Sequence, residues 1–266
     1  MNKISIFDDQ KVIFNEQNAY KYIDYLVEFL RTKVSEAHAK GLIVGISGGI
    51  DSALVFALAQ KAFPNDVLGV VMPIKDMSFD NPHINELEKN LNTKFLTVNL
   101  AQTNQEINKQ LNLSNHLAIA NVMPRLRMTT LYALAQEKGY LVCGTDNLDE
   151  YYIGYFTKYG DGGVDLLPIS HLTKSEVRYL AKLLNVPDSI INKKPSAGLW
   201  EGQSDEDELG FSYAELDYFL KNENDQNALA KLKPETIQKI TRMHKNSQHK
   251  RDGGYRPLSP EELKGE

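Results

Sequence analysis

Apolar positions along this chain follow two spacings: short runs of β-branched residues, and longer stretches with a helical period. Continuous apolar runs bounded by polar residues or glycine predict strands at 42–46, 67–72, 94–98 and 140–144. Apolar residues three and four apart predict helices at 20–40, 51–62, 81–92 and 115–138, the last one after a polar loop. Strands and helices therefore alternate through the first half of the chain.

This alternation is typical of βαβ units, whose right-handed crossovers produce a parallel sheet with helices on both faces. The chain has 266 residues, of which 42% are hydrophobic, and this is sufficient for one large core. We therefore predict an α/β fold with a Rossmann-like parallel sheet, formed as a single domain by residues 1–266. Ligands of such sheets bind at the carboxyl ends of the strands.

The second half of the chain is predicted to be helical, with one irregular segment. A hydroxyl residue followed three positions later by glutamate predicts helix starts at Thr173 and Ser212, and Pro234 begins a further helix. Residues 193–209 combine glycines, a proline and an acidic run without any apolar period. We expect a mobile active-site loop there.

The turn from the first predicted sheet strand into its helix is the most informative segment. It consists of Gly45, Ile46, Ser47, Gly48, Gly49, Ile50, Asp51 and Ser52. Its glycines allow backbone N–H groups to point inward, and N–H groups at a helix N-terminus attract anions. A carboxylate such as Asp51 is unfavourable beside a phosphate unless a cation lies between them. The segment therefore predicts a site for pyrophosphate with Mg²⁺, and an ordinary glycine-rich turn is the alternative.

Two common phosphate-binding motifs are excluded for this segment. No Gly-Lys-Ser/Thr follows it, so it is not a Walker A loop, and Gly-x-Gly-x-x-Gly is absent. Ser-Gly-Gly-x-Asp-Ser after a Val/Ile strand instead resembles the pyrophosphate loop of the ATP pyrophosphatases, which cleave ATP between its α and β phosphates. That superfamily includes synthetases for NAD, GMP, asparagine and argininosuccinate, and tRNA thiolases.

Composition and charge exclude several other classes of protein. The net charge is −5 without a long basic tract, which argues against a nucleic-acid surface. Cys143 is the single cysteine and lies in an apolar run, so we predict a buried thiol and no disulfide. There is no apolar run long enough to span a membrane, and no signal-peptide pattern at the start. A cytoplasmic protein without membrane or nucleic-acid partners is expected.

Carboxylates also follow the last predicted strand of the sheet. Asp146, Asp149 and Glu150 come directly after it, at the edge where Mg²⁺ would sit near a phosphate loop. Helix capping by Asp146 or Asn147 is the alternative, and it is compatible with a metal role for Glu150. For the basic residues of 248–251, a solvated charge run is the simpler explanation from composition alone.

Several motifs taken together resemble the ammonia-dependent NAD synthetases. They fall in that family's order and spacing from about residue 20 to residue 255. The motifs are the glycine loop, Asn-x-x-x-Arg-x-Arg-Met from Asn121, Gly-Thr-Asp-x-x-x-Glu from Gly144, Phe-Thr-Lys-Tyr-Gly-Asp-Gly-Gly-x-Asp-Leu-x-Pro from Phe156, Leu-Thr-Lys from Leu172, Lys-x-Pro-Ser-Ala-x-Leu from Lys193, Gln-Ser-Asp-Glu-x-Glu-Leu-Gly from Gln203, and His-Lys-Arg from His249. The strings at 156–168 and 203–210 are the most specific to this family.

The resemblance implies roles for individual residues. For ATP it implies residues 45–52 together with Thr145, Lys174 and Ser196. For deamido-NAD it implies Arg125, Lys158, Asp165, His249 and Lys250. For Mg²⁺ it implies Asp51 and Glu150. Two departures from the family pattern are a serine at 196, where threonine is common, and Pro124 before Arg125.

The resemblance also implies an adenine nucleotide α-hydrolase-like fold, a homodimer, and a ligase reaction. Deamido-NAD would be amidated by free ammonia at the expense of ATP, through an acyl-adenylate, giving NAD, AMP and pyrophosphate. This reaction needs no nucleophilic side chain, and no catalytic residue is assigned. Free ammonia is expected as the donor because a fused amidotransferase domain would not fit in this chain. A GMP synthetase-type domain and a silent ATP-sensing protein are the alternative functions.

Overall fold

The computed structural model describes residues 3–194 and 205–265. The strands are β1 (Ser5–Asp8), β2 (Lys11–Phe14), β3 (Gly41–Ile46), β4 (Val67–Val71), β5 (Leu96–Thr97) and β6 (Tyr140–Cys143). The helices are α1 (Glu16–Glu36), α2 (Ile50–Ala62), α3 (Asn81–Asn90), α4 (Ala101–Leu111), α5 (His116–Lys138), α6 (Leu148–Ile153), α7 (Lys174–Leu183), α8 (Asp188–Ile191), α9 (Asp205–Leu209), α10 (Tyr213–Lys221), α11 (Gln226–Leu229), α12 (Pro234–Asn246) and α13 (Gln248–Arg251), followed by a 3₁₀ turn at Glu262–Gly265.

Four parallel strands form the central sheet in the order β5-β4-β3-β6. The central strand β3 is apolar along nearly its whole length, as expected for a strand covered on both faces. Its side chains alternate between two cores: Leu42 and Val44 pack in one, and Ile43 packs in the other. This register aligns the ends of β3, β4 and β6, so the segments that follow them meet at one edge of the sheet.

Helices cover both faces of the sheet. Helices α1, α2 and α7 pack on one face and α5 packs on the other. Helix α2 is apolar on all sides and almost every one of its residues is buried, which is typical of a helix in the interior of a large domain. Helices α6, α10 and α12 form a third core around Ile153, Leu216 and Ile240. This third core supports the residues that approach the sheet edge from the C-terminal half.

The predicted single-domain α/β fold with a parallel sheet and helices on both faces is confirmed. The thiol of Cys143 is buried, and burial raises its pKa well above the usual range. None of the helices in the described ranges has the length and apolar character needed to cross a bilayer.

The sequence analysis did not predict several short or polar elements, among them α4 and the N-terminal hairpin. The polar segment before the fifth helix forms α4, whose half-buried face includes Asn104 and Asn108 and so gives no clear apolar stripe. The N-terminal residues form the antiparallel β1–β2 hairpin. That hairpin is held by long-range contacts: Phe14 stacks on Tyr179 at 4.3 Å between ring centroids, and the Ser5 hydroxyl donates to Glu176 at 2.7 Å.

Candidate active site

The glycine loop joins β3 to α2 at the carboxyl edge of the sheet. Its two serine hydroxyls lie 3.1 Å apart, and the Ser52 hydroxyl donates to the Gly49 carbonyl at 3.0 Å. Gly49 is the N-cap of α2 and offers no side-chain acceptor to the first turn. The N–H groups at the start of this helix are therefore available to an anion.

Gly48 explains why this loop needs glycine. Its φ is +77°, in the left-handed region, and an added Cβ would lie 3.1 Å from Asp80 Cβ. Lys193, which precedes the residues that the structure does not describe, forms an ion pair with Asp80 and lies 3.3 Å from the Gly48 carbonyl oxygen. The loop therefore packs closely against a charged pair on one side.

Lys174 lies between two carboxylates at the other side of the loop. Its Nζ is 2.7 Å from Asp51 Oδ2 and 3.1 Å from Glu150 Oε1, and its side chain is only 3% exposed. Asp51, at the start of α2, also accepts a hydrogen bond from Asn147 Nδ2 at 2.9 Å. The structure thus brings together Asp51, Glu150 and Lys174, which the sequence analysis assigned to ATP and Mg²⁺ from separate motifs.

The short helix α6 positions Glu150. Asn147 is its N-cap and accepts from the Glu150 N–H at 3.0 Å, while the Glu150 carboxylate approaches the Asn147 N–H in a capping box. Both explanations offered by the sequence therefore apply: Asn147 caps the helix, and Glu150 keeps Oε1 for Lys174. Thr145 lies between β6 and this cap, at the same edge.

Negative charge exceeds positive charge around Lys174. Burial, partly offset by Lys174, raises the pKa of Glu150 to about 7, and the Asp51 carboxylate adds to the rise. Burial and the neighbouring Asp161, Glu150 and Asp51 raise the pKa of Asp146 well above its usual range. Among residues 3–194 and 205–265, the buried Asp146 Oδ2 has no hydrogen-bond partner. Although burial opposes its charge, Lys174 has a raised pKa because Asp51 and Glu150 stabilise the ammonium. The cluster is therefore suited to a further cation.

Four of the five residues assigned to deamido-NAD lie close together. Arg125 Nη2 donates to the Lys158 carbonyl at 3.2 Å, and Lys158 Nζ donates to the carbonyls of His249 and Asp252. Lys250 Nζ donates to the carbonyls of Gly154 and Phe156, each at 2.7 Å. Helix α13 is thereby attached to the segment after α6, and Arg125 approaches it from α5.

Asp165, the fifth residue assigned to deamido-NAD, is not placed with those four. Asp165 lies beside β6, where it accepts from the Val142 N–H at 2.8 Å and the Tyr132 hydroxyl at 2.9 Å. Ser196, which was assigned to ATP, lies outside the described residues, as do residues 195–204 of the predicted loop 193–209. The last five residues of that segment, Asp205–Leu209, form helix α9 instead of an irregular loop. Pro124, the second departure from the family pattern, lies inside helix α5, as does Arg125.

The structure adds two residues that the motifs did not indicate. The Tyr213 ring lies 4.9 Å from Lys174 Nζ, and its hydroxyl is within hydrogen-bonding distance of Asp205 and Glu150. Asp217, one turn further along α10, bonds to the start of α7. The capping box at Ser212 predicted this helix, but no local pattern indicated that it faces the site.

A cleft of about 450 Å³ opens beside the loop at the ends of β4 and β5. It is lined by Pro73, Lys75, Met77, Asn81 and Phe95, among others. Its wall includes the start of α3, next to the Asp80 that contacts the glycine loop.

Comparison with known proteins gives one consistent family. A model of the NAD synthase family matches residues 22–253. The NH(3)-dependent NAD(+) synthetase of Mycoplasmopsis pulmonis is 53% identical over 238 residues, 89% of this chain and 90% of that protein. Among solved structures, NMN synthetase from Francisella tularensis is 37% identical with a TM-score of 0.83, covering 90% of this chain and 98% of that one. NH3-dependent NAD synthetase from Campylobacter jejuni is 29% identical with a TM-score of 0.79, covering 90% and 99%.

Proposed function

Because this chain belongs to the NAD synthase family, we propose that it is a ligase that amidates deamido-NAD with free ammonia at the expense of ATP. The products are NAD, AMP and pyrophosphate, and the reaction completes NAD biosynthesis. The observation that best supports this proposal is the position of Lys174 Nζ, between Asp51 and Glu150 at the free N-terminus of α2. The Lys174 ammonium and the N–H groups at the start of α2 lie at one place, where they can stabilise the negative charge of a leaving pyrophosphate.

The proposed chemistry has two steps. A carboxylate oxygen of the nicotinate ring attacks the α phosphorus of ATP, and the bond to the β-phosphate oxygen breaks, giving an acyl-adenylate and pyrophosphate. Ammonia then attacks the acyl carbon, AMP leaves, and the nitrogen loses a proton. In the first step Lys174 and the Ser47–Ser52 part of the loop stabilise the charge of the departing pyrophosphate. In the second step the protein excludes water, which would otherwise hydrolyse the adenylate.

Mg²⁺ fits the residues present. Among the described residues no set of three or more acidic, histidine or cysteine side chains forms a complete metal cage. Mg²⁺ commonly uses one or two protein carboxylates and takes its remaining ligands from substrate phosphates and water. Asp51 and Glu150 would supply those carboxylates. The ion would neutralise charge on the ATP phosphates.

Deamido-NAD is assigned to the group formed by Arg125, Lys158, His249 and Lys250. Three positive side chains and a histidine around one segment suit a ligand with two phosphates and a carboxylate. The adenosine of ATP would occupy the cleft beside the loop. Asp165 and Ser196 keep their proposed roles, toward deamido-NAD and the ATP phosphates respectively, and loop 193–209 remains a prediction within the single domain 1–266.

We also propose a homodimer acting in the cytoplasm, where ATP is available. Leu111 and Leu117, at facing ends of α4 and α5, are 58% and 59% exposed. Both would be covered if the α4–α5 surface packed against a second copy. Light scattering of the purified protein measures the mass, and a monomer with full activity would exclude this assembly.

One assay tests the function. Purified protein is incubated with ATP, Mg²⁺, ammonium and deamido-NAD, and NAD, AMP and pyrophosphate are quantified; all three should form in equal amounts. Glutamine in place of ammonium should give no NAD beyond that from contaminating ammonia. Pyrophosphate release that is independent of deamido-NAD, or equal rates with xanthosine monophosphate as the acceptor, would contradict the proposal.

A second acceptor is favoured by one comparison. The Francisella tularensis structure that resembles this chain is an NMN synthetase, so deamido-NMN is the other acceptor to test. We expect deamido-NAD to have the higher kcat/KM, in line with the more similar NAD synthetases. A higher kcat/KM for deamido-NMN would reassign the acceptor but keep the ligase chemistry.

A further inference from the structure

Two buried carboxyl groups from different helices hold the start of α7. Asp149 of α6 and Asp217 of α10 are 0% and 1% exposed. The Lys174 N–H lies 2.6 Å from Asp149 Oδ2 and 3.2 Å from Asp217 Oδ1, and the Ser175 N–H donates to Asp217 Oδ2 at 3.0 Å. Asp217 therefore uses both of its oxygens on the first two amides of the helix that begins with Lys174.

The capping box of α7 does not reach the first two amides of the helix. Thr173 and Glu176 form that box, with the Thr173 N–H donating to Glu176 Oε2 at 3.0 Å. The N–H groups of Lys174 and Ser175 lie outside it and receive their acceptors from Asp149 and Asp217. Burying two acidic groups beside one helix terminus is unfavourable unless they gain strong hydrogen bonds, and these amides supply them.

Helix α10 contacts Lys174 at both ends of the residue. Tyr213 and Asp217 are four positions apart, so they lie on one face of that helix. The Tyr213 ring lies beneath the ammonium at 4.9 Å, while Asp217 fixes the backbone N–H. One face of α10 therefore contacts both the Lys174 main chain and its ammonium.

We propose that Asp217 is a positioning residue for the ligase reaction: it fixes the backbone of Lys174 so that the ammonium lies at the pyrophosphate end of ATP. This inference rests on the proposed function, because it assumes that Lys174 acts on ATP. Asp217 itself is directed at two backbone amides and acts through Lys174. Replacing Asp217 should therefore weaken the stabilisation of the negative charge that develops on the leaving pyrophosphate more than it weakens ATP binding.

Asp217→Asn is the primary test. An asparagine has one acceptor oxygen, so it can serve only one of the two amides: either the Ser175 N–H loses its acceptor, or the Lys174 N–H keeps only Asp149. We expect kcat for NAD formation to fall by roughly 10- to 100-fold, as for small displacements of catalytic groups, while the KM for ATP changes by less than about threefold. In a Lys174→Met background the same substitution should have little further effect, because both changes remove the same interaction.

Glu176→Gln is the matched control. Glu176 is a carboxylate at the same helix terminus with a side chain only 2% exposed, and it bonds to Thr173, Ser5 and Lys221 but not to the Lys174 amide. It should lower the unfolding temperature and leave kcat within about threefold of wild type. Equal kcat losses in Asp217→Asn and Glu176→Gln, or additivity of Asp217→Asn with Lys174→Met, would overturn the proposal.

Asp217→Glu covers the case in which the asparagine variant does not fold. It keeps the charge but moves the acceptor by one methylene, so kcat should again fall in a folded protein. A folded Asp217→Glu variant with wild-type kcat, or failure of both variants to fold, would assign Asp217 to the fold alone. Wild-type protein is assayed in parallel: an inactive wild type would refute the ligase function, whereas an active wild type with active variants would refute only this inference.

Discussion

Replacing Lys174 with methionine should both destabilise the protein and make it respond more strongly to Mg²⁺. The ammonium is 3% exposed and lies 2.7 Å and 3.1 Å from the Asp51 and Glu150 carboxylates. Removing one partner from a buried ion pair costs about 3–5 kcal/mol. The two carboxylates are 18% and 15% exposed, so water reaches them and we expect the lower end, about 3 kcal/mol. For a chain of this size that corresponds to a fall of roughly 6–12 °C in unfolding temperature.

The Mg²⁺ response follows from competition for the same oxygens. In the ligand-free protein Lys174 neutralises the two carboxylates, so a divalent ion gains less by binding there. Without the ammonium, Mg²⁺ affinity should increase, and a tenfold increase would add about 1.4 kcal/mol of stability at saturating ion. Calorimetric unfolding with a chelator and then across a Mg²⁺ series measures both effects, and NAD formation by the variant should be severely reduced.

Lys221→Met provides the comparison for this experiment. Lys221 lies 2.7 Å from the buried Glu176 carboxylate, an ion pair that does not involve Asp51 or Glu150. The variant should lose stability without gaining a Mg²⁺ response. If Lys174→Met responds to Mg²⁺ no more strongly than wild type, Asp51 and Glu150 are not the carboxylates that hold the ion.

Three further predictions concern residues around the site. Tyr213→Phe should lose about 1 kcal/mol of stability with its hydroxyl contacts, yet keep substantial NAD formation because the ring still lies beneath Lys174; loss of all activity at unchanged stability would instead indicate a catalytic hydroxyl. Asp165→Asn should raise the KM for deamido-NAD more than that for ATP, and a lower unfolding temperature with both KM values unchanged would limit Asp165 to its bonds with Val142 and Tyr132. Cys143 should react with a thiol reagent at pH 8 only after unfolding, because burial both shields the thiol and raises its pKa; rapid labelling of the native protein would refute this.

The sequence predicted the sheet well because its strands are buried on both faces. Runs such as 42–46 and 140–144 are continuous and apolar, and the structure differs from them by one residue or less at each end. The 94–98 segment was predicted less accurately, since β5 contains only Leu96 and Thr97 and both are exposed. Helix α4 was missed because its half-buried face is largely polar: Asn104 and Asn108 lie there beside Ile107.

Motifs in the sequence indicated the residues of the candidate site. They did not indicate the contacts that hold those residues in place. Asp51, Glu150 and Lys174 each lie in a local string with a recognisable pattern. Tyr213 and Asp217 lie in an ordinary amphipathic helix, and only its packing on α6 and α7 brings them to Lys174. Long-range packing of this kind depends on the third core, around Ile153 and Leu216, which local periodicity cannot reveal.

The span of chain that forms the Lys174 cluster has a consequence for synthesis in the cell. Asp51 and Lys174 are 123 positions apart, and Lys174 and Asp217 a further 43. Contacts this distant in sequence are costly in loop-closure entropy and form late in folding. When only the glycine loop and the first βαβ units have emerged from the ribosome, the chain therefore still lacks Lys174 and the helix α10 that contacts it. ATP cleavage should begin only after α10 has emerged, so incomplete chains would not consume the nucleotide.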